Sequence, residues 1–236
     1  MVNHSIAPQP HDLSNSDLFR DVPDKGLSDA VRCAVVRHLP KGTTVFAQDQ
    51  RADRARALLV GRIRIAQSGS EGEQLLVRFV GPGEIFGTIG LFTGHVYPAQ
   101  ATTVLDSTEI SWSESALLAL IEHYPRIAIN LVKITGERLR EVEERLRELA
   151  TQRVECRIAR LLLRLAGQAG QNTDEGTAID FPLSRKDVAD MCGANLHTVS
   201  RTLTVWEKTG WIETSQQRIT ICDRREIRRR AEDAYP

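Results

Sequence analysis

The sharpest alternation of apolar and polar positions lies in residues 183–212. Val188, Ala189 and Met191 give a first short helix an inner face, and Val199, Leu203 and Trp206 recur at helical spacing in a second. Ser184 stands three residues before Asp187, the spacing of a capping box that starts the first helix. Asn195 is a favourable N-cap for the second. Gly193 has no Cβ to clash at positive φ and permits the tight turn between them. His197, Thr198, Ser200 and Arg201 are then left pointing outward. Gly210 ends the second helix, with Lys208 in its last turn. Residues 211–214 and 218–221 follow as two short strands joined by Ser215-Gln216-Gln217.

The same reading extends upstream. Residues 1–15 are expected to be a flexible tail, with helical patterning at 16–19 and 27–39. Short apolar runs then alternate with turn residues. Thr43-Thr44-Val45-Phe46, residues 57–60, residues 62–65 and residues 74–80 read as strands, with turns at Gly61 and at Gly81-Pro82-Gly83. Closely spaced short strands of this kind predict a small barrel or sandwich over residues 16–123. A long helix is predicted at 124–150. There Ala128, Val132, Thr135, Leu139, Val142, Leu146 and Leu149 advance in steps of 4, 3, 4, 3, 4 and 3. The other positions between 137 and 148 are all Glu or Arg, so the apolar seam calls for a partner, and an identical helix is the simplest one. Ile127, Leu131 and Ile134 form a second stripe that would rest on the barrel. Residues 151–236 hold another amphipathic helix (Val154, Ile158, Leu161, Leu162, Leu165), a polar loop at 171–176, a short strand at 178–181 and the two-helix unit with its hairpin.

Composition narrows the class. The chain has 236 residues and a formal net charge of zero, and no apolar run is long enough to span a bilayer. The N-terminus lacks the profile of a secretion signal, so a cytoplasmic protein is expected. Cys33, Cys156, Cys192 and Cys222 are scattered without ligand spacing, which argues against a local metal site and favours reduced core thiols. Cys192, at the turn before the second helix, is a candidate redox switch. Charge is unevenly spread: residues 184–230 carry 10 basic and 6 acidic side chains, net +4. That modest excess suits a reader of double-stranded DNA with a few specific contacts. Ser184, Arg185, Asn195, Leu196, His197, Thr198, Ser200 and Arg201 are the candidate DNA-binding residues, and Arg218 in the hairpin is placed near a phosphate backbone. Arg201 has the reach and the forked donors to bridge guanine O6 and N7. No nucleophile–base pair, phosphate loop or metal motif supports an enzyme.

The order barrel, seam helix, winged helix-turn-helix resembles the CRP/FNR family of bacterial transcription regulators over about residues 17–225. Gly81-Pro82-Gly83-Glu84-Ile85-Phe86-Gly87 with Gly90-Leu91-Phe92 is similar to that family's glycine-marked barrel loop. The run Leu196-His197-Thr198-Val199-Ser200-Arg201 with Trp206-Glu207, together with Tyr97-Pro98-Ala99, resembles the NnrR/DNR branch. The resemblance implies an α+β chain made of a cyclic-nucleotide-binding-like β-barrel (a double-stranded β-helix or jelly roll), a dimerisation helix and a winged helix-turn-helix. It implies a homodimer on a pseudo-palindromic operator, RNA polymerase as a further partner, no membrane association, and control of denitrification genes by nitric oxide. It places an effector pocket at Gly83, Glu84, Gly87, Thr88, Tyr97, Pro98 and Ala99. Cyclic-AMP-binding members carry a Glu and an Arg-Ser pair where Thr88, Tyr97 and Pro98 stand here, so a cyclic phosphate loses its cationic partner and no cyclic AMP is expected. Oxygen-sensing members hold an iron–sulfur cluster on several N-terminal cysteines. Only Cys33 lies in that region, so no cluster is expected. Haem is the cofactor that nitric-oxide sensing implies, with His38, His95 and His123 as candidate axial ligands. The alternative is a thiol-responsive or constitutive regulator of the same type with no bound cofactor.

Overall fold

The computed structural model describes residues 9–69 and 74–232. The chain divides into two compact units: residues 1–67 with 79–139, and residues 68–78 with 140–236.

The first unit opens with α1 (Pro10–Ser14), a 3-10 turn (Asp17–Phe19) and α2 (Asp24–Arg32). Residues 10–15 are therefore not a loose tail. Leu13 is fully buried beside Leu18 and Phe19. Residues 1–8 of the expected tail lie outside the described residues. The helical patterning predicted at 27–39 ends early, because β1 (Val35–Leu39) is a strand paired antiparallel with β8 (Ser107–Ser113). The β-branched pair Val35-Val36 fits a pleated surface better than a helix. The other strands are β2 (Thr44–Phe46), β3 (Arg54–Val60), β4 (Ile63–Ser68), β5 (Gln74–Val80), β6 (Ile85–Phe86) and β7 (Gln100–Thr103), with α3 (Thr88–Phe92) between β6 and β7; residues 74–78 of β5 belong to the second unit. They form two four-stranded sheets, in the orders β1-β8-β3-β6 and β2-β7-β4-β5. The expected barrel is thus a jelly-roll-like sandwich of two sheets.

Both faces of the first sheet are covered. Ala55, Ala57, Ile110 and Trp112 meet a helical layer made of α1, α2, α4 (Glu114–His123) and the start of α5 (Arg126–Thr151). The Trp112 indole N–H donates to Ala30 O at 2.8 Å, which settles the polar edge of a fully buried ring. Ile127 and Ile134 are buried here with Leu131 against them, as the second stripe predicted. The opposite face packs Leu58 and Phe86 against Val45, Phe46, Ile63, Val80 and Ala101 of the second sheet.

The second unit holds the remainder of α5 and then α6 (Val154–Ala169), β9 (Gly170–Thr173), β10 (Gly176–Ile179), α7 (Arg185–Cys192), α8 (Leu196–Lys208), β11 (Ile212–Ser215), β12 (Arg218–Ile221) and α9 (Arg224–Glu232). The hairpin predicted after α8 is one half of a four-stranded sheet, β11-β12-β10-β9. The expected polar loop at 171–176 therefore starts as an edge strand. Helix α9 buries Ile227 and Ala231, and Arg230 lies over the Trp211 ring at 5.0 Å. The apolar seam of α5 stays open: Val132, Leu139, Val142, Leu146 and Leu149 are all exposed, Val132 to 72%. Ala128 is half-buried and Thr135 exposed, its hydroxyl donating to Leu131 O.

Candidate nucleic-acid interface and sensor pocket

The two-helix unit is built as its caps dictate. Ser184 Oγ accepts the Asp187 N–H at 3.1 Å, and an Asp187 carboxylate oxygen accepts the Ser184 N–H at 2.9 Å, completing a capping box. Gly193 takes φ +55° at the turn. The Asn195 side chain accepts the His197 N–H at 2.7 Å and starts α8. Ser184 and Asn195, both expected to touch DNA, therefore have their side chains committed to local structure. Arg185 is committed as well. Its guanidinium donates to Ser200 O, to Thr204 Oγ1 and to both carboxylate oxygens of Glu207, at 2.9–3.1 Å. It fastens α7 across α8, with Nη1 on Ser200 and Thr204 and Nη2 on the Glu207 carboxylate.

What α8 offers outward is a clean stripe. Val199, Leu203 and Trp206 are buried, while Leu196, His197, Thr198 and Arg201 are exposed and Ser200 is half-buried. The Arg201 guanidinium makes no hydrogen bond or ion pair among the described residues. It borders an open cleft of about 240 Å³ lined also by Glu155, Thr198, Thr202, Val205 and Trp206. A cation with unused donors on the first two turns of a helix is ready for an acceptor outside the chain. The hairpin beside it turns at Gln216 and Gln217, with φ +49° and +63°, and Leu183 N–H donates to Gln217 O at 2.7 Å. That bond ties the wing to the start of α7, and Arg218 is exposed on it.

The predicted effector residues stand in different surroundings. Gly83 (φ +85°) packs on the lead-in segment, its carbonyl accepting the Asp17 N–H at 3.3 Å. Glu84 accepts the Gly81 N–H at 3.0 Å, and Pro98 is exposed. Gly87, Thr88, Tyr97 and Ala99 are the ones on or near the sandwich interior. Gly87 has φ +75°, and a Cβ there would sit 3.3 Å from the Tyr97 ring and 3.4 Å from Phe46. Tyr97 is 1% exposed and stacks on Phe46 with ring centroids 3.8 Å apart.

Over that stack lies a charge network that the sequence pattern concealed. Arg54-Ala55-Arg56-Ala57 alternates in the usual way, but here the alanines meet the helical layer and the arginines turn into the sandwich. Arg56 sits 5.3 Å and 5.4 Å from the Phe46 and Tyr97 centroids and donates to Tyr97 Oη and Arg54 O. Its Nε faces buried Glu109 at 3.6 Å, and Arg37 reaches the same carboxylate at 3.0 Å. Burial pushes the Glu109 carboxyl up, and Arg56, Arg37 and Arg54 pull it back.

His38, His95 and His123 are all exposed; His38 Nδ1 lies 3.0 Å from Thr108 Oγ1 and His123 Nδ1 2.9 Å from Ala119 O. Exposed histidines, with Phe46, Phe86 and Tyr97 filling the interior, do not fit an enclosed haem. Among the described residues no group of three His, Cys, Asp or Glu is placed to hold a metal ion. Cys156 and Cys192 are buried as expected, but Cys33 is exposed and Cys222 half-buried. Burial pushes the Cys192 thiol up to about 12, which suppresses the thiolate that redox chemistry needs.

Comparison with known proteins agrees with this arrangement. A Crp-like helix-turn-helix domain matches residues 156–230, and a cyclic nucleotide-binding domain matches residues 36–124. The nitrogen fixation regulation protein FixK of Azorhizobium caulinodans is 30% identical over 191 residues, covering 80% of this chain and 76% of that protein. The chain belongs to the CRP/FNR family of transcription regulators. A CRP-like cAMP-activated global transcriptional regulator of Mycobacterium tuberculosis is 26% identical over 219 residues, 93% of this chain and 98% of the relative. The solved structure of FixK2 from Bradyrhizobium japonicum superposes with a TM-score of 0.74 at 23% identity, covering 86% of this chain and 99% of that one, which shows the shared fold. As a member of this family the chain is a DNA-binding regulator and not an enzyme. Among the described residues no helix is long and apolar enough to cross a membrane.

Proposed function

We propose that this CRP/FNR regulator acts as a cytoplasmic homodimer that reads a pseudo-palindromic operator with the exposed stripe of α8. The observation that carries the reading is Arg201, whose guanidinium has no partner among the described residues while Arg185 braces the helix that presents it. Arg201 takes a guanine, His197 and Thr198 approach neighbouring base edges, and Arg218 on the wing meets phosphate. The open seam of α5 supplies the two-fold contact that sets half-sites one helical turn apart. RNA polymerase is the partner to which such a bound regulator would answer.

Control of nitrogen-oxide genes is the finer reading. It is supported by the likeness of the run 196–201 and of Tyr97-Pro98-Ala99 to the NnrR/DNR branch. A buried Tyr97 where cyclic-AMP binders carry the Arg-Ser pair favours an effector other than a cyclic nucleotide. The proposal is tested with the duplex that the wild-type protein enriches from a random pool. Arg201→Ala is expected to lose about 1–3 kcal/mol on that duplex and to relax preference at one guanine per half-site. Equal loss on random DNA would reduce Arg201 to a phosphate contact and overturn its assigned role.

A further inference from the structure

The turn between α7 and α8 is held by two guanidinium groups from outside the motif. Arg145 of α5 donates to Met191 O through Nε at 3.1 Å and Nη2 at 2.6 Å. Arg157 of α6 donates to Cys192 O at 2.9 Å and to Gly193 O at 3.4 Å. These are the last carbonyls of α7, where the helix concentrates partial negative charge and has no partners of its own. A Cβ built on Gly193 would lie 2.7 Å from Leu149 Cδ2, so α5 also touches the turn directly. Arg157 spends its third donor on Gln152 O, at the bend between α5 and α6. Arg145 spends its remaining donors differently: Nη1 donates to Val77 O at 2.7 Å and Nη2 to Leu76 O at 3.1 Å, both on β5.

From this arrangement we infer that Arg145 is a positioning residue for DNA reading, and that strand β5 and the helix-turn-helix turn are coupled through its single guanidinium. The group is planar and rigid, so its two sets of acceptors cannot move independently. A displacement of β5 either drags the fork off Met191 O or breaks the bonds to Leu76 and Val77. In the first case the C-terminus of α7 loses two charge-assisted hydrogen bonds, and the axis of α8 is free to tilt. Arg157 cannot substitute, because it holds the neighbouring carbonyls from α6 and has no bond to β5 among the described residues. This inference rests on the DNA-reading proposal above and adds the element that sets the reading angle.

The test uses the full-length protein, the enriched duplex, a random duplex, and hydrogen exchange read on peptides covering 75–78 and 192–195. Arg145→Ala is compared with Arg140→Ala, which removes the same charge from an exposed position of the same helix. Arg145→Ala is expected to accelerate exchange in both peptides together and to reduce the preference for the enriched duplex about tenfold, a typical coupling between sites. Arg140→Ala is expected to leave both peptides and the preference unchanged. Arg145→Lys keeps the charge but cannot fork, and is expected to behave like the alanine variant; should Arg145→Ala fail to fold, this variant carries the test. Full preference in Arg145→Lys, or faster exchange in one peptide with the other unchanged, overturns the coupling. A wild-type protein that enriches no sequence at all overturns the DNA-reading proposal instead.

Discussion

At the scale of single residues, the site is a division of labour between arginines of identical chemistry. Arg185, Arg145 and Arg157 are used up on carbonyls and a carboxylate inside the second unit. Arg201 and Arg218 are left exposed. Spacing on α8 made Arg201 legible, since it falls outside the buried stripe of Val199, Leu203 and Trp206. The inward turn of Arg185 was not legible, because it depends on Glu207 arriving from the next helix. The interior Arg54, Arg56 and Glu109 were hidden for a related reason. Alternation reports two faces, but not that both faces of a sheet are covered. Cys192 yields a prediction at this scale. Its folded pKa of about 12 stands above the ordinary 9.0, so the folded state holds the thiol proton more tightly. The stabilisation is complete below pH 9 and is lost as pH rises from 9 toward 12. Urea midpoints should fall across that window more steeply for wild type than for Cys192→Ala. At pH 8 a thiol-alkylating reagent should label exposed Cys33 and spare Cys192; equal labelling would contradict the burial argued here.

At the scale of elements, what is local was readable and what is supplied by a neighbour was not. The bounds of α7 and α8 follow from Ser184, Gly193 and Asn195, residues within the segment they punctuate. The local pattern at β1 reads as helix because the strand's pairing partner β8 lies about seventy residues away. The local pattern at β9 reads as a loop because Gly170, Gln171, Asn172 and Thr173 carry no apolar face; they are held on an edge by β10. The arginine runs at 224–225 and 228–230 read equally as phosphate contacts or as a solvated helix face, and they lie on helix α9 with Ile227 and Ala231 buried at helical spacing. Ser184→Ala removes the acceptor for the Asp187 N–H and should cost about 1 kcal/mol in urea unfolding of the second unit. No change in the unfolding midpoint would mean that the capping box contributes nothing to α7.

At the scale of the whole molecule, α5 carries two apolar stripes with different fates. One stripe, Ile127, Leu131 and Ile134, is satisfied within the first unit; the other, from Val132 to Leu149, is left to solvent in the single chain. An exposed row of this length is a surface meant to be covered. Charged substitutions in the seam, Leu139→Glu together with Leu146→Glu, should give monomers in sedimentation velocity and leave the far-ultraviolet circular dichroism of each chain intact. The stretch of enriched DNA bound should then shrink to a half-site, with affinity close to that for random duplex.

The most direct measurement is the mass of the wild-type complex on its enriched duplex, by light scattering at protein concentrations near the dissociation constant. The account predicts two chains per duplex, and a sharp loss of binding when five base pairs, half a helical turn, are inserted between the half-sites. One chain bound with full sequence preference, indifferent to that insertion, would contradict it.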